Sequence, residues 1–363
     1  MKISFVHTAD LHLGRQFHFG KRGKELGNQK RNDLWTTFDK ILEICEKNSV
    51  DFLLISGDLF DTAQVDIAKV ARAADKFRGL STTQVVCIAG NHDFYGKESI
   101  YNLVTWPGNV TIMKTGQMES VRFPELETTI YGLSWTKTHY DKIPFQDHID
   151  LDDTTNNIMM LHGEVYNTTS EYMPLNISDY DYFDYVALGH IHKHEMLTNR
   201  MGYCGSPEGL DFGEMGEHGV ILGQIEDHRV STKFLPISLR TYNKVELRIE
   251  PEMTMDGIKR MALDRIPKEE REKNFYRLVL SGYISKDLDL KWLKEELEAN
   301  FYYLEIDARR LEVDLDLNAI LKDNKNNMIG AFILEMKKHK NNPIAKKALV
   351  YGLEGIFKDG REG

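Results

Sequence analysis

The chain is poor in the residues that staple or anchor a protein. Its three cysteines, Cys45, Cys87 and Cys204, are odd in number and far apart in a sequence of 363 residues. That excludes a disulfide framework and argues against a zinc–thiolate site. No apolar run approaches the roughly 20 residues needed to span a bilayer. The N-terminus offers only Ile3, Phe5 and Val6 before polar residues, too little for a secretory signal. A cytoplasmic location without membrane contact is therefore the expectation. A basic surplus is also missing: the net charge is -10, whereas phosphate attraction in nucleic-acid enzymes usually shows as excess positive charge. Internal repeats, heptads and low-complexity tracts are absent as well. Hydrophobic and charged contents of 41% and 28% are ordinary for a globular chain with room for two or three domains.

What is present is a repeated pattern of short apolar runs that end in metal-binding residue types. In Phe52-Leu53-Leu54-Ile55-Ser56-Gly57-Asp58-Leu59-Phe60-Asp61, four apolar residues read as a strand buried on both faces, and Gly57 breaks it so that Asp58 emerges at its carboxyl end. The pattern recurs four times: Ile3 to Val6 before Asp10 and His12; Val85 to Ala89 before Gly90-Asn91-His92-Asp93; Ile158 to Leu161 before His162-Gly163; and Tyr185 to Leu188 before Gly189-His190-Ile191-His192. Asp, Asn and His without Cys make an oxygen and nitrogen donor set, suited to Mn²⁺, Fe²⁺ or Zn²⁺ more than to Ca²⁺. Asp10, His12, Asp58, Asn91, His162, His190 and His192 are too many ligands for one ion that must keep an open position. Two divalent ions sharing Asp58 fit the count. Such a pair, about 3.5–4 Å apart, activates water and clamps a phosphate oxygen during in-line attack. A leaving alkoxide still needs a proton. His92, beside the ligand Asn91 and with Asp93 placed to orient its ring, is the candidate acid.

Charge is uneven along the chain. Arg15, Lys21, Arg22, Lys24, Lys30 and Arg31 face one acid, Glu25, within residues 15–31. This stretch also carries Phe17 and Phe19 and reads as a basic loop leaving the Asp10/His12 ligands, with Arg15, His18, Lys21 and Arg22 as candidate substrate contacts. A helix is expected from Asn32 as N-cap, on the spacing of Leu34, Phe38, Ile41, Leu42 and Cys45, and a second near 64–78. Shorter alternating runs over 109–137 suggest strands of a second sheet. Leu235-Pro236 reads as a boundary. Beyond it, strand, helix, strand, helix and strand form a small α/β unit over 240–312, and 313–363 holds two amphipathic helices split near Asn341-Asn342-Pro343. Of the remaining histidines, His7 reads as packing, His194 as supporting or exposed, and His139, His148, His218, His228 and His339 as surface or loop.

Taken in order, Asp10-x-His12, Gly57-Asp58-Leu59-Phe60-Asp61, Gly90-Asn91-His92-Asp93, Leu161-His162-Gly163 and Gly189-His190-Ile191-His192 resemble the calcineurin-like metallophosphoesterases. Thr8-Ala9-Asp10-Leu11-His12-Leu13-Gly14, Gly189-His190-Ile191-His192-Lys193 and Gly205-Ser206-Pro207 are similar, within them, to the SbcD-type DNA repair nucleases. The resemblance covers about residues 1–237, as a nuclease domain, and is architectural only from 240 to 306, like that family's capping domain. It implies a four-layer α-β-β-α sandwich of class α/β. It implies Asp10, His12, Asp58 and His192 on one ion, usually Mn²⁺, and Asp58, Asn91, His162 and His190 on the other. It further implies catalysis by His92, Mn²⁺-dependent 3′→5′ exonuclease and single-strand endonuclease activity on DNA, a homodimer, and docking of the C-terminal part on an SMC-like coiled-coil ATPase of the SbcC type. The alternatives are a phosphatase or cyclic-nucleotide phosphodiesterase of the same superfamily, and a catalytically silent scaffold for the ATPase. Against a protein phosphatase, Asp61 is followed by Thr62-Ala63 rather than Arg-Gly.

Overall fold

The computed structural model describes residues 2–19, 23–61, 65–144, 149–284, 289–313 and 317–339, with scattered positions from 342 to 355. The chain divides into two compact units, Met1–Tyr242 and Asn243–Gly363.

The first unit runs β1 (Lys2–Thr8), α1 (Gly23–Asn48), β2 (Phe52–Ser56), α2 (Ile67–Arg78), β3 (Gln84–Ile88), β4 (Val110–Ile112), β5 (Glu119–Phe123), β6 (Thr128–Gly132), β7 (Asn156–His162), β8 (Tyr185–Gly189), β9 (Glu195–Met196), β10 (Met201–Tyr203), β11 (Gly219–Glu226) and β12 (Arg229–Pro236). Two six-stranded sheets result, ordered β12-β11-β1-β2-β3-β4 and β5-β6-β7-β8-β10-β9. In the first, β1 to β4 are parallel, and β11 runs antiparallel to both of its neighbours, β1 and β12. In the second, β6, β7, β8 and β10 are parallel, with β5 and β9 as antiparallel edges.

Alternation along the strands decides what packs where. Phe5, Phe52, Leu54 and Val86 of the first sheet meet Ile130, Ile158, Met160 and Tyr185 of the second in one buried cluster, so the sheets lie face to face. On the other face of the first sheet, Val6, Leu53, Ile55, Val85 and Cys87 receive Leu34, Phe38 and Ile41 of α1 and Val70 and Phe77 of α2. Each such side chain contributes about 1.5–3 kcal/mol by leaving water. The outer face of the second sheet, with Met159, Leu161, Val186 and Leu188, is covered among the described residues by Leu133, Trp135, Met173, Leu175 and Phe183 from irregular chain. All three cysteines are buried and free.

One helix of this unit departs from its expected span. Helix α1 begins at Gly23, not at Asn32. Its first turns face inward with charge rather than apolar side chains: Lys30 Nζ lies 2.9 Å from Glu208 Oε1, both wholly buried, and Arg240 Nε donates to Asp33 Oδ2 at 2.9 Å. A hydrophobic period has nothing to register there. Leu235-Pro236 closes β12, with Pro236 opposite Gly219, and the division between the two units follows at Tyr242/Asn243.

The second unit holds β13 (Tyr242–Ile249), which begins at the boundary residue, then α3 (Met255–Arg265), α4 (Lys268–Lys273), β14 (Phe275–Ile284), α5 (Leu290–Glu298), β15 (Tyr303–Val313), α6 (Leu317–Asp323) and α7 (Met328–Lys338). Its sheet is ordered β13-β14-β15, with β14 and β15 parallel. Thr254 caps α3 and Asp289 caps α5, each side-chain oxygen accepting amide N–H groups of the first turn. Leu247, Ile249, Ile258, Leu278, Leu280, Leu293 and Leu297 form its core. Ile333, Leu349 and Leu353 make a smaller cluster of the last helices. Among the described residues no helix is long and apolar enough to cross a membrane.

Candidate metal centre

The loops that follow β1, β2, β3 and β8, together with the last residue of β7, bring the seven expected ligands together. Asp10 at φ 54°, His12 at 47°, Asp58 at 53° and His190 at 95° all adopt the left-handed backbone that side-chain-bearing residues avoid. Such residues cost on the order of 1–3 kcal/mol each and persist where the surroundings over-determine them. Crowding explains the glycines before the ligands. A Cβ on Gly57 would stand 2.4 Å from His162 Nδ1, and one on Gly90 would stand 2.2 Å from Asp58 Oδ1.

Three groups of donor atoms lie within 4.8 Å of one another among the described residues: Asp10 with His12 and His192, Asp10 with Asp58 and His162, and His12 with Asp61 and His92. His12 Nε2 is 3.2 Å from His192 Nε2, which is 3.7 Å from Asp10 Oδ1. On the other side, Asn91 Oδ1 is 3.0 Å from His162 Nε2 and 3.3 Å from His190 Nδ1. Asp58 stands between the two sides. Its Oδ2 is 3.7 Å from His12 Nε2 and 3.4 Å from His162 Nε2, while Oδ1 accepts the His92 amide at 2.9 Å.

Burial sets the electrostatics. It raises Asp10 to about 6, against the pull of His192 and His162. It pushes Asp58 up too, yet the charge and hydrogen bond of His162, with His12 and His92, hold that carboxyl well below the usual range. Burial lowers His190 to about 3 and His12 well below its ordinary value. Burial also lowers His162 and His192, but Asp58 with Asp10 and the Ser56 backbone at the first, and Glu214 with Asp10 and Asp58 at the second, together lift both histidines to about 9. Ring nitrogens that face each other at 3.2 Å beside buried carboxylates form a donor set that a divalent cation relieves. The residues fit such ions.

His92 is exposed, its ring 4.7 Å from that of His12 and edge-on. Where an orienting contact from Asp93 was expected, that carboxylate instead accepts the Gly90 amide at 2.7 Å, the Phe60 amide at 3.1 Å and the Tyr101 hydroxyl at 2.5 Å. Buried and near Asp58, it is raised to about 7. Asp93 shapes the loop that presents Asn91 and His92, and the carboxylate grouped with His92 is that of Asp61. Asp61 closes the Gly57-Asp58-Leu59-Phe60-Asp61 motif, and the structure sets it beside His92. Arg15 is half-buried and close enough to His12 to depress its protonation, and His18 is exposed. Lys21 and Arg22 lie outside the described residues, as does His148. Lys30 is committed to Glu208, and Arg31 donates to Gln16 and Asn28.

Several further neighbours of the site carry no motif in the sequence. Glu214 bonds the ring of His192, and Tyr172 stacks on His190 with ring centres 4.9 Å apart. Neither follows an apolar run, so the sequence pattern does not mark them. His218, read as surface, is buried against Ser206. His194 stacks on Phe234 at 4.1 Å and bonds the Tyr203 carbonyl.

A family model matches the chain over the residues that build this site. The model for calcineurin-like phosphoesterases covers residues 3–194, more than half of the chain, and the protein belongs to that family of metal-dependent phosphoesterases. The chain is similar to an uncharacterized metallophosphoesterase, YhaO, of Bacillus subtilis (strain 168), with 26% identity over 295 residues, 77% of this chain and 72% of the relative. Among solved structures it has a slight likeness to GAP50, the anchor in the inner membrane complex of Plasmodium. There the TM-score is 0.36 and the identity 12%, covering 65% of this chain and 84% of the other, too little to bear on fold or function.

Proposed function

We propose that the protein is a two-metal phosphodiesterase acting on DNA, a Mn²⁺-dependent 3′→5′ exonuclease and single-strand endonuclease of DNA repair. The observation that carries the two-metal reading is the placement of Asp58 Oδ2 between His12 Nε2 and His162 Nε2, at 3.7 and 3.4 Å. Bound ions would supply an activated water and charge neutralisation at phosphate. Asp10, His12, Asp58 and His192 would hold one ion, and Asp58, Asn91, His162 and His190 the other. His92, exposed beside them, donates a proton to the leaving oxygen, and Asp61 orients its ring. Support for DNA as substrate comes from the similarity of the motifs to the SbcD-type nucleases and from the basic, Phe-containing stretch that begins at Arg15 and includes His18.

Digestion of single- and double-stranded DNA with Mn²⁺ tests the reading. Wild type should degrade both from 3′ ends and Asp58→Ala neither; equal inertness of the two rejects it. A small-phosphoester hydrolase is the second reading. The net charge of -10 and the engagement of Lys30 and Arg31 within the fold favour it. Faster turnover of a monoester than of any polynucleotide would decide for it. The partners in this proposal are an SMC-like ATPase of the SbcC type, taken up by the C-terminal helices, and a second copy of the chain. Exposed Met328, Leu334, Ile344 and Tyr351 support a contact there. Truncation before Leu317 should spare hydrolysis and abolish ATPase co-purification.

A further inference from the structure

Glu214 belongs to none of the five motifs, yet it is built into the centre with more care than an incidental surface acid. Its Oε1 lies 2.6 Å from His192 Nδ1. Its Oε2 accepts the Leu210 amide at 2.9 Å and the Ser206 hydroxyl at 3.1 Å. Ser206 in turn donates its own amide to the His192 carbonyl at 3.0 Å, which closes a frame from the backbone of His192 back to its ring. Buried His218 braces the frame: Nδ1 is 2.9 Å from the Ser206 carbonyl and Nε2 is 3.1 Å from the Glu214 carbonyl. The carboxylate side chain is 16% exposed and that of His192 24%.

A carboxylate can only accept here, so Nδ1 of His192 must carry the proton. In the neutral ring, the form that binds a cation, that leaves Nε2 as the atom turned toward Asp10 and His12 with a lone pair to give. Carboxylate partners of this kind fix the tautomer and ring angle of a ligating histidine and raise its basicity, and their loss typically weakens metal binding 10–100-fold. We infer that Glu214 is a positioning residue for the ion held by Asp10, His12 and His192, acting through the His192 ring and not on substrate. The inference rests on the reading of this cluster as a metal centre.

Calorimetric titration of the full chain with Mn²⁺ tests it, with wild type, Glu214→Gln, Glu214→Asp and Ser206→Ala side by side and the metal-free thermal midpoint of each recorded. Glu214→Gln should weaken one of two binding events 10–100-fold and leave the other unchanged. Glu214→Asp should recover part of the loss. Ser206→Ala, which keeps the ring contact, should lose less than Glu214→Gln at a similar metal-free midpoint. Wild-type affinity in Glu214→Gln overturns the inference and leaves the metal centre standing. If Glu214→Gln does not fold, wild-type affinity in Glu214→Asp overturns it in the same way. A wild-type chain that binds no Mn²⁺ overturns the metal centre and the inference together.

Discussion

The two units use the same alternation of strand and helix for different ends. In the first, parallel strands end in Asp, Asn and His, several of them in left-handed backbone, and fully buried charge is frequent: Asp10, Asp58, Asp93, Lys30 and Glu208 are all at most 1% exposed. In the second, β14 and β15 are also parallel, but their core is Leu and Ile. Asn274 is the only buried polar side chain among its described residues. Burying polar groups costs free energy unless they are paired. The contrast therefore marks where stability has been given up for chemistry and where the chain simply packs.

The contrast can be broken by mutation. The largest expected effect is at Asp58. Asp58→Ala removes the donor common to both sides, and phosphodiester hydrolysis should fall to background, with both calorimetric Mn²⁺ binding events weakened. His92→Ala should keep both binding events and lose about 10²–10⁴-fold in turnover; loss of metal in that variant would reassign His92 as a ligand. Asp61→Asn should lose less turnover than His92→Ala and add little to it in the double variant, because the two act as one device. In the second unit, Leu278→Ala should cost about 2–5 kcal/mol of stability by opening a cavity in a closed core. Mn²⁺ affinity at 25 °C should stay unchanged, and a matching loss of affinity would mean that the two regions are not separable in this way.

The smallest effect concerns His7, buried in β1 against Tyr185. Burial, opposed by the nearby Leu188 backbone, lowers it to about 3 from 6.5. Its neutral form is favoured by the fold, so its contribution is fully present above pH 6.5 and is lost as pH falls toward 3, at about 1.4 kcal/mol per pH unit. His7→Asn should be less destabilised than wild type on going from pH 7 to pH 4.5 in urea unfolding. Equal acid sensitivity would show that His7 is not buried neutral.

Much of this was readable from residue order. The apolar runs before Asp10, Asp58, Asn91, His162 and His190 located five strands, because a strand buried on both faces needs no alternation to be seen. Every residue from Met255 to Arg265 belongs to the helix its spacing predicts. The start of α1 was hidden because Lys30 and Asp33 are buried by pairing with Glu208 and Arg240, which pattern alone does not reveal. Glu214 was hidden because its partner is 22 positions away in sequence and its loop has no apolar lead. Asp93 differs for the opposite reason: adjacency to His92 suggests a contact, while the loop turns its carboxylate toward Gly90, Phe60 and Tyr101.

The central claim is that one carboxylate joins two ions. Anomalous diffraction from Mn²⁺-soaked crystals tests it most directly. Two peaks should flank Asp58, one beside His12 and His192 and the other beside Asn91, His162 and His190. A single peak, or peaks with Asp58 turned away from both, would contradict it.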